Sequence, residues 1–152
     1  MSLEGRIALV TGGSRGIGRA VARALAEDGA DIAVHYNRDE KAAQETVETV
    51  EKLGRRALAV CAAIEDPAAL TAMVDKVQEG LGPVGILINN AGIASRGRGV
   101  MKTEAAELER LMRVHALGPH ELCKLVLPEM REQERGDIVM VSSVATKYNA
   151  AG

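Results

Sequence analysis

Apolar and polar positions along the chain follow two alternating patterns that predict strands and helices in turn. The stretches between short apolar runs carry apolar residues at the 3.6-residue period of a helix. Strands that are apolar on both faces and separated by helices are typical of a parallel sheet covered on both sides, so the pattern predicts an α/β fold. The five predicted strands are about Arg6–Thr11, Asp31–Tyr36, Arg56–Ala62, Gly85–Asn89 and Asp137–Ser142.

Capping residues and glycines predict the ends of the first three helices. The first helix is predicted over about residues 16–28 and stops before Gly29, because glycine tolerates the left-handed conformation that ends a helix. Asp39 and Asp66 are suited to cap the second and third helices, and Pro67 fits the first turn of the third. The residues predicted to face the core from these two helices are Ala42, Ala43, Thr46, Val47, Val50, Leu53, Leu70, Met73, Val74 and Val77.

A longer helical pattern follows the fourth strand, after a loop of residues 91–102. Thr103 is predicted to cap this helix, and Gly136 to end the element. Pro119 and Pro128 lie inside the pattern, and each removes a helix hydrogen bond, so we expect a kink or a break near them. Its apolar residues are Leu108, Leu111, Met112, Leu122, Leu125 and Val126.

The chain is interpreted as one incomplete domain that spans residues 1–152. No internal repeat or linker divides it. The fifth strand is almost wholly apolar, as a central parallel strand is, and without a further neighbour it would be an exposed edge. We therefore expect a domain that is truncated after the fifth strand, with residues 143–152 as an unfinished continuation.

Composition and charge exclude several classes of function. The chain is 47% hydrophobic and 26% charged, which is typical of a globular protein rather than a disordered one. Its 19 basic and 21 acidic residues leave no basic surplus for nucleic acid. No apolar run approaches the roughly 20 residues that span a membrane, and the N-terminus has no signal-peptide pattern. We expect a cytoplasmic protein with no nucleic-acid or membrane partner.

Cysteines and histidines add no predicted metal site. Cys61 and Cys123 are interpreted as buried thiols in a reducing compartment, since one falls in a strand pattern and the other in a helix pattern. His35 and His120 show no metal-ligand spacing, so both are interpreted as ordinary residues.

A glycine-rich turn, Thr11-Gly-Gly-Ser-Arg-Gly-Ile-Gly18, joins the first strand to the first helix. Backbone N–H groups at a helix N-terminus suit a phosphate. Gly12 is expected to turn the chain off the strand, Gly16 to let a pyrophosphate approach the backbone, and Gly18 to bring the helix close to the sheet. The spacing is not the commoner Gly-x-Gly-x-x-Gly, so the turn alone favours nucleotide binding only modestly over a plain turn.

Three motifs taken together resemble the short-chain dehydrogenase/reductase family, and within it the 3-oxoacyl-[acyl-carrier-protein] reductases and related carbonyl reductases. They are Thr11–Gly18, Asn89-Asn90-Ala91-Gly92 and Ile138-Val-Met-Val-Ser-Ser143, and the resemblance covers essentially the whole chain. It implies a doubly wound, Rossmann-like sheet with local strand order 3-2-1-4-5. It also implies an oxidoreductase that moves a hydride between a nicotinamide cofactor and a carbonyl or alcohol.

The resemblance gives this chain two candidate catalytic residues, Ser143 and, at a departing position, His115, and leaves a tyrosine and a lysine outside it. Ser143 matches the serine that orients the substrate carbonyl, while in the family a tyrosine supplies the proton and a lysine lowers its pKa. The family's Tyr-x-x-x-Lys motif is absent, because Lys147 precedes Tyr148 and position 152 is glycine. We expect the motif to fall beyond Gly152 and this polypeptide to be inactive alone.

Two positions depart from the family pattern. His115 stands where the family usually has an asparagine of a proton relay; histidine can relay a proton, with different geometry. Ala63 stands where the family usually has an aspartate that contacts adenine, which is expected to weaken cofactor binding. Both departures, with the missing motif, favour an alternative: a non-catalytic dinucleotide-binding relative that acts as a partner or sensor.

The end of the second strand predicts NADP(H) over NAD(H). An acidic side chain there would hold the ribose 2′-hydroxyl and repel a 2′-phosphate, but the strand ends His35-Tyr36-Asn37-Arg38. Arg38 and Arg15 offer positive charge to a phosphate; the alternative is that both are solvated surface charges, and the adjacent acids oppose the bias. The predicted cofactor-binding residues are Gly12, Ser14, Arg15, Gly16, Ile17, Gly18, Asn37, Arg38, Asn90, Ala91 and Gly92.

The resemblance leaves the substrate open within one chemical class. A small carbonyl compound or an acyl thioester is expected, and an acyl-carrier-protein thioester, a sugar, a steroid and a small ketone all remain candidates. Family members are usually dimers or tetramers, so a homo-oligomer is expected at full length.

Overall fold

The computed structural model describes residues 2–97 and 99–143, which contain a five-stranded sheet. The strands are β1 Ile7–Val10, β2 Asp31–Tyr36, β3 Ala57–Cys61, β4 Val84–Asn89 and β5 Asp137–Met140. Neighbouring strands are parallel, in the order β3-β2-β1-β4-β5, which confirms the order that the resemblance implies. The strand order changes direction between β1 and β4, which is where open α/β sheets bind ligands.

The first three helices begin and end close to the predicted positions. Asp39 caps its helix by accepting a hydrogen bond from the Ala42 N–H at 3.0 Å. The Asp66 carboxylate accepts from the N–H groups of Ala68 and Ala69 at 3.0 and 3.3 Å, as its N-cap position requires. The helices are α1 Gly16–Glu27, α2 Glu40–Lys52, α3 Pro67–Gly80, α4 Ala105–Met112 and α5 Gly118–Glu132.

Alternate residues of the central strands enter two separate aliphatic cores. Leu9 and Leu87 pack in a cluster with residues of α3 and α5. Their neighbours Val10 and Ile88 pack in a second cluster with residues of α1 and α2. The sheet is therefore covered on both faces, and the predicted inward face of α3 is buried at all four positions. This arrangement confirms the doubly wound α/β fold.

Two predicted core positions are exposed instead. Leu53 is 40% exposed, because it is the C-cap residue of α2 and no longer follows the helical period. Cys61, predicted to be a buried thiol, is exposed at the end of the outer strand β3. Its thiol donates to the Asn37 carbonyl at 3.4 Å, while Cys123 is half-buried.

The predicted long helix is divided into α4 and α5 by a π-helical segment, Arg113–Leu117. Pro119 lies in the first turn of α5, directly after that segment, whereas Pro128 is accommodated inside α5. The predicted Thr103 cap is wrong: α4 begins after Glu104, because a 3₁₀ turn precedes Thr103 and its hydroxyl donates to the Gly99 carbonyl. Among the described residues, none of the helices has the length and apolarity needed to cross a bilayer.

β5 is the outer strand of the described sheet. The Arg6 guanidinium donates to the Asp137 carboxylate at 2.6 Å and to the Gly85 carbonyl at 2.7 Å, which ties the start of β5 to β4. Residues 138–141 are 37–55% exposed. Continuation of the sheet beyond β5 stays a prediction, and Lys147 and Tyr148 lie outside the described residues.

Candidate functional site

The carboxyl ends of β1, β2 and β4 open into a cleft of about 650 Å³, a volume typical of small-molecule sites. The glycine turn forms one wall, and the segments that follow β2, β3 and β4 form the others, together with Arg110 and Val114. The remaining predicted cofactor residues, Gly16, Ile17 and Gly18, continue the turn into α1. The predicted residues that line the cleft are Gly12, Ser14, Arg15, Asn37, Arg38, Asn90, Ala91 and Gly92.

The glycine turn requires glycine at several of its positions. Gly12 and Gly16 have φ values of +63° and +55°, in the left-handed region that other residues rarely adopt. A Cβ at Gly18 would overlap the Gly12 carbonyl oxygen and lie 2.6 Å from Asn90 Nδ2. The first turn of α1 therefore sits directly against the end of β1, with its N-terminus beside the cleft.

Thr11 and Asn90 join the turn to the segment after β4. The buried Thr11 hydroxyl donates to the Ile88 carbonyl at 3.1 Å and accepts from the N–H groups of Asn90 and Ala91, both at 2.9 Å. The Asn90 amide donates back to the carbonyls of Thr11 and Gly12 at 2.9 and 3.3 Å. Two walls of the cleft are thus held together by one hydroxyl and one amide.

Arg19 supports the turn from the first helix, a role that the sequence did not reveal. Its Nε and Nη2 donate to the Ser14 carbonyl at 2.9 and 2.7 Å. Nη2 also donates to the Ala42 carbonyl of α2 and to the Glu45 carboxylate. The Thr46 hydroxyl of α2 also donates to the Ser14 carbonyl at 3.4 Å, so this carbonyl faces α2.

His35 is a second residue whose role the sequence interpretation missed. It is 1% exposed near the end of β2, directly after the apolar residues 32–34. Its Nδ1 accepts from the Gly12 N–H at 3.0 Å, and its Nε2 donates to the Ala62 carbonyl at 3.0 Å. Burial lowers the pKa of the ring below its ordinary value, and the bond to Ala62 only partly offsets this. A polar residue within a buried strand was the available signal.

The lowered pKa of His35 predicts a loss of stability in mild acid. Below about pH 6.5 the unfolded chain binds a proton that the folded ring resists, so stability is complete above that pH and falls towards the folded pKa. The slope from this one group approaches about 1.4 kcal/mol per pH unit. Urea unfolding at several pH values checks this, with His35→Asn as the reference; identical pH dependence in both proteins would contradict it.

Three arginines line the cleft in different electrostatic states. Arg15 and Arg38 are exposed, and within the part of the chain that the structure describes neither forms an ion pair. Arg110 donates to the Glu107 carboxylate and to the Ala94 carbonyl. Hydrogen bonds from Arg110 and from the Arg96 N–H lower the pKa of Glu107 to about 2. Arg15 and Arg38 are therefore the cations available to a ligand phosphate.

The two predicted catalytic residues lie near the same end of the sheet. The ring of His115, within the π-helical segment, has its Nε2 2.8 Å from the Ile93 carbonyl and 3.3 Å from the Ile93 nitrogen. One tautomer satisfies only one of these contacts, and the shorter one places the proton on Nε2. Ser143 follows β5, whose Val141 N–H donates to the Asn89 carbonyl at 2.9 Å. Neither His115 nor Ser143 is among the residues that line the cleft.

The region after β3 lacks an acidic side chain at the predicted adenine-contacting position. Ala63 is half-buried and does not line the cleft, whereas Ile64 and Glu65 do. Within residues 2–97 and 99–143, no group of three or more His, Cys, Asp or Glu side chains could hold a metal ion.

Comparison with known proteins relates the whole chain to one group of enzymes. A family described as short chain dehydrogenase matches residues 6–152. A ketoacyl reductase, HetN, of Nostoc sp. is 35% identical over 150 residues, which are 99% of this chain and 52% of the relative. The chain thus spans about half the length of this curated relative.

Among solved structures with the same fold, some contain NADPH and others contain NADH. A blue fluorescent protein from a metagenomic library, in complex with NADPH, has a TM-score of 0.91 and 35% identity, covering 100% of this chain and 61% of the other. A 7α-hydroxysteroid dehydrogenase, complexed with NADH and 7-oxo glycochenodeoxycholic acid, has a TM-score of 0.90 and 31% identity. The match covers 97% of this chain and 57% of the dehydrogenase.

Proposed function

The chain belongs to the short-chain dehydrogenase family, and from this premise we propose that its cleft binds NADP(H) for the reduction of a carbonyl compound. The observation that carries the proposal is the glycine turn at the α1 N-terminus, locked by Thr11 and Asn90 to the segment after β4. The substrate class is a small carbonyl compound or an acyl thioester, such as a 3-oxoacyl thioester.

The residues of the cleft fit an extended dinucleotide. The left-handed Gly12 and Gly16 present backbone without a side chain beside the α1 N-terminus, where the helix dipole favours a pyrophosphate. A Cβ at Gly16 would have no protein atom within 4 Å, so the space next to it is open to a ligand. Ala91 and Gly92, at the opposite wall, allow a ribose to lie close to the backbone.

The preference for NADP(H) rests on the charges at the tip of β2. Asn37 and Arg38 are exposed there, and Arg15 of the glycine turn lines the same cleft. A guanidinium matches a phosphate in charge and in hydrogen-bond geometry. Asp39 also lines the cleft, but its carboxylate accepts from the Ala42 N–H as a helix cap. The related proteins bind either cofactor, so this chain's arginines decide the preference.

Removing these charges should weaken NADPH binding selectively. Arg38→Gln and Arg15→Gln are each expected to lower NADPH affinity about tenfold, since a hydrogen bond to a charged group contributes about 1.5 kcal/mol. For Arg38→Gln, NADH affinity should change by less than about twofold, because NADH lacks the 2′-phosphate. Fluorescence titration measures both, with Arg131→Gln on α5 as a matched control. Equal losses for NADPH and NADH would refute the assignment of Arg38.

The proposed reaction requires this chain to orient a substrate beside the cofactor. When bound, the nicotinamide supplies the hydride. Ser143 donates a hydrogen bond to the substrate carbonyl and holds it in place. His115 holds the Ile93 carbonyl and so fixes the segment after Gly92, which lines the cleft. The resemblance assigns proton donation to a tyrosine of a Tyr-x-x-x-Lys motif, which these 152 residues do not contain.

A polypeptide of these 152 residues is therefore expected to bind the cofactor without turning it over. Without the proton donor, the alkoxide that hydride transfer forms is not neutralised by the enzyme. The test is NADPH oxidation, followed by absorbance, with acetoacetyl thioester and small ketones and a mass-verified sample. Steady oxidation above the no-enzyme rate would refute this expectation.

The second candidate function is a non-catalytic dinucleotide-binding relative that acts as a partner or sensor. It is favoured by Ala63, which brings no acidic side chain to the adenine-contacting position, and by His115 in place of an asparagine. A longer gene product with Tyr-x-x-x-Lys after Ser143 favours the reductase, and one without it favours the sensor. The substitution His115→Asn in the longer protein also distinguishes a reductase from a sensor. It should change the turnover rate of a reductase, whereas a non-catalytic relative has no turnover to change.

A further inference from the structure

We propose that His35, in its neutral form with the proton on Nε2, is a positioning residue that sets the shape of the phosphate-binding turn. The proposal rests on the proposed dinucleotide function of the same cleft. The positioning residue lies outside the glycine motif, since His35 belongs to β2, 23 residues further along the chain than Gly12.

Three hydrogen bonds connect His35 to the glycine turn and to the end of β3. Its Nδ1 accepts from the Gly12 N–H at 3.0 Å, and its backbone carbonyl accepts from the Gly13 N–H at 2.9 Å. The first two glycines of the turn are therefore both fixed by one residue. On the opposite side, the ring Nε2 donates to the Ala62 carbonyl at 3.0 Å, where β3 ends.

These contacts permit a single protonation state. Gly12 offers only an N–H and Ala62 only a carbonyl oxygen, so the ring must accept at Nδ1 and donate at Nε2. A proton on Nδ1 would place two donors against each other and release Gly12. Burial supports the neutral ring by lowering its pKa. β1 and β4 bring no charged side chain to the cleft; the charged residues that line it with His35 are Arg15, Arg38, Asp39, Glu65 and Arg110.

The position of Gly12 matters for the ligand because its φ of +63° determines where the turn leaves the sheet. With Gly12 held, the chain continues through Ser14 and Arg15, which line the cleft, to the α1 N-terminus. Without the hydrogen bond from the Gly12 N–H to His35, the first left-handed residue of the turn is no longer fixed. A bound phosphate must then order this backbone itself. Such ordering lowers affinity.

Three substitutions separate this role from simple packing. Asparagine places Oδ1 near the site of Nδ1 and keeps an acceptor for Gly12. Glutamine places Nε2 near the site of the ring Nε2 and keeps the donor for Ala62, without the acceptor. Leucine keeps apolar volume and makes neither bond. The measurements are NADPH affinity and urea unfolding midpoint for the wild type, His35→Asn, His35→Gln and His35→Leu, near pH 8.

We expect His35→Asn to stay within about threefold of the wild-type affinity, and His35→Gln and His35→Leu to lose about tenfold or more. Rescue by asparagine but not by glutamine identifies the Gly12 bond as the functional contact. The inference is overturned if the His35→Gln protein binds NADPH as tightly as the His35→Asn protein. It is also overturned if the NADPH affinity of the variants simply follows their unfolding midpoints. Absence of NADPH binding by the wild type would instead overturn the proposed function itself, and the inference with it.

Nitrogen-15 NMR of the imidazole tests the protonation state independently of any ligand. At pH 6.5, where an ordinary imidazole is about half protonated, the His35 ring is expected to be neutral with its proton on Nε2. An imidazolium signal, or a neutral ring with the proton on Nδ1, contradicts the proposal even if the affinities follow the expected order.

Discussion

Replacing Gly18 with alanine is expected to lower NADPH affinity about a hundredfold and to destabilise the protein by about 3 kcal/mol. The added Cβ would overlap the Gly12 carbonyl and lie 2.6 Å from Asn90 Nδ2. Neither group can move alone, because the Asn90 amide also donates to the Thr11 carbonyl and the Gly12 N–H is held by His35. The helix N-terminus must therefore shift away from β1, and the phosphate site moves with it.

Gly99→Ala is the matched control for this change. A Cβ at Gly99 meets no atom within 4 Å, and the residue has an ordinary φ of −63°. The stability of the Gly99→Ala protein is expected to stay within about 0.5 kcal/mol of the wild type, and its NADPH affinity is expected to be unchanged. Isothermal titration and urea unfolding measure both effects. A Gly18→Ala protein that binds NADPH like the Gly99→Ala control would show that close contact between α1 and β1 is not needed.

Thr11→Val is expected to cost about 2–4 kcal/mol of stability, although the two side chains have nearly the same shape. The change removes the hydroxyl that accepts from the Asn90 and Ala91 N–H groups at 2.9 Å. The Asn90 N–H keeps a second acceptor, the Ile88 carbonyl at 3.1 Å, but the Ala91 N–H loses its bond. Since Ala91 lines the cleft, NADPH binding should weaken as well.

Thr11→Ser keeps the hydroxyl and loses only a buried methyl group, so its cost should stay near about 0.8 kcal/mol. Urea unfolding of both variants separates the hydrogen bonds from packing. If the Thr11→Val protein is as stable as the Thr11→Ser protein, the Thr11 hydroxyl does not hold the two strand ends together. If the Thr11→Val protein is unstable but binds NADPH normally, the hydrogen bonds of Thr11 stabilise the fold without contributing to cofactor binding.

Local chemistry made most of the fold predictable from the sequence. β2 has the predicted bounds, Asp31–Tyr36, because its apolar centre, Ile32-Ala-Val34, lies between Gly29 and the polar Asn37. Asp39 and Asp66 cap their helices as predicted, since an N-cap depends only on residues two or three positions away. The break before Pro119 was indicated by proline itself, although its π-helical form was not.

The contacts that shape the candidate site were not predictable in the same way. Thr11 and Asn90 are 79 positions apart, and His35 meets Ala62 across 27 positions. Such pairs exist only once the sheet order brings the strand ends together, and no local period reports them. His35 was interpreted as an ordinary residue for this reason. The exposure of Cys61 also depends on the sheet, because β3 is an outer strand.

The most direct test of the account is isothermal titration of the chain with NADPH and with NADH under identical conditions. We predict saturable binding of NADPH at one site, tighter than NADH by about tenfold or more, a difference of at least about 1.4 kcal/mol. Equal or tighter binding of NADH would contradict the role given to Arg15 and Arg38. The absence of saturable binding by either cofactor would contradict the assignment of the cleft as a dinucleotide site.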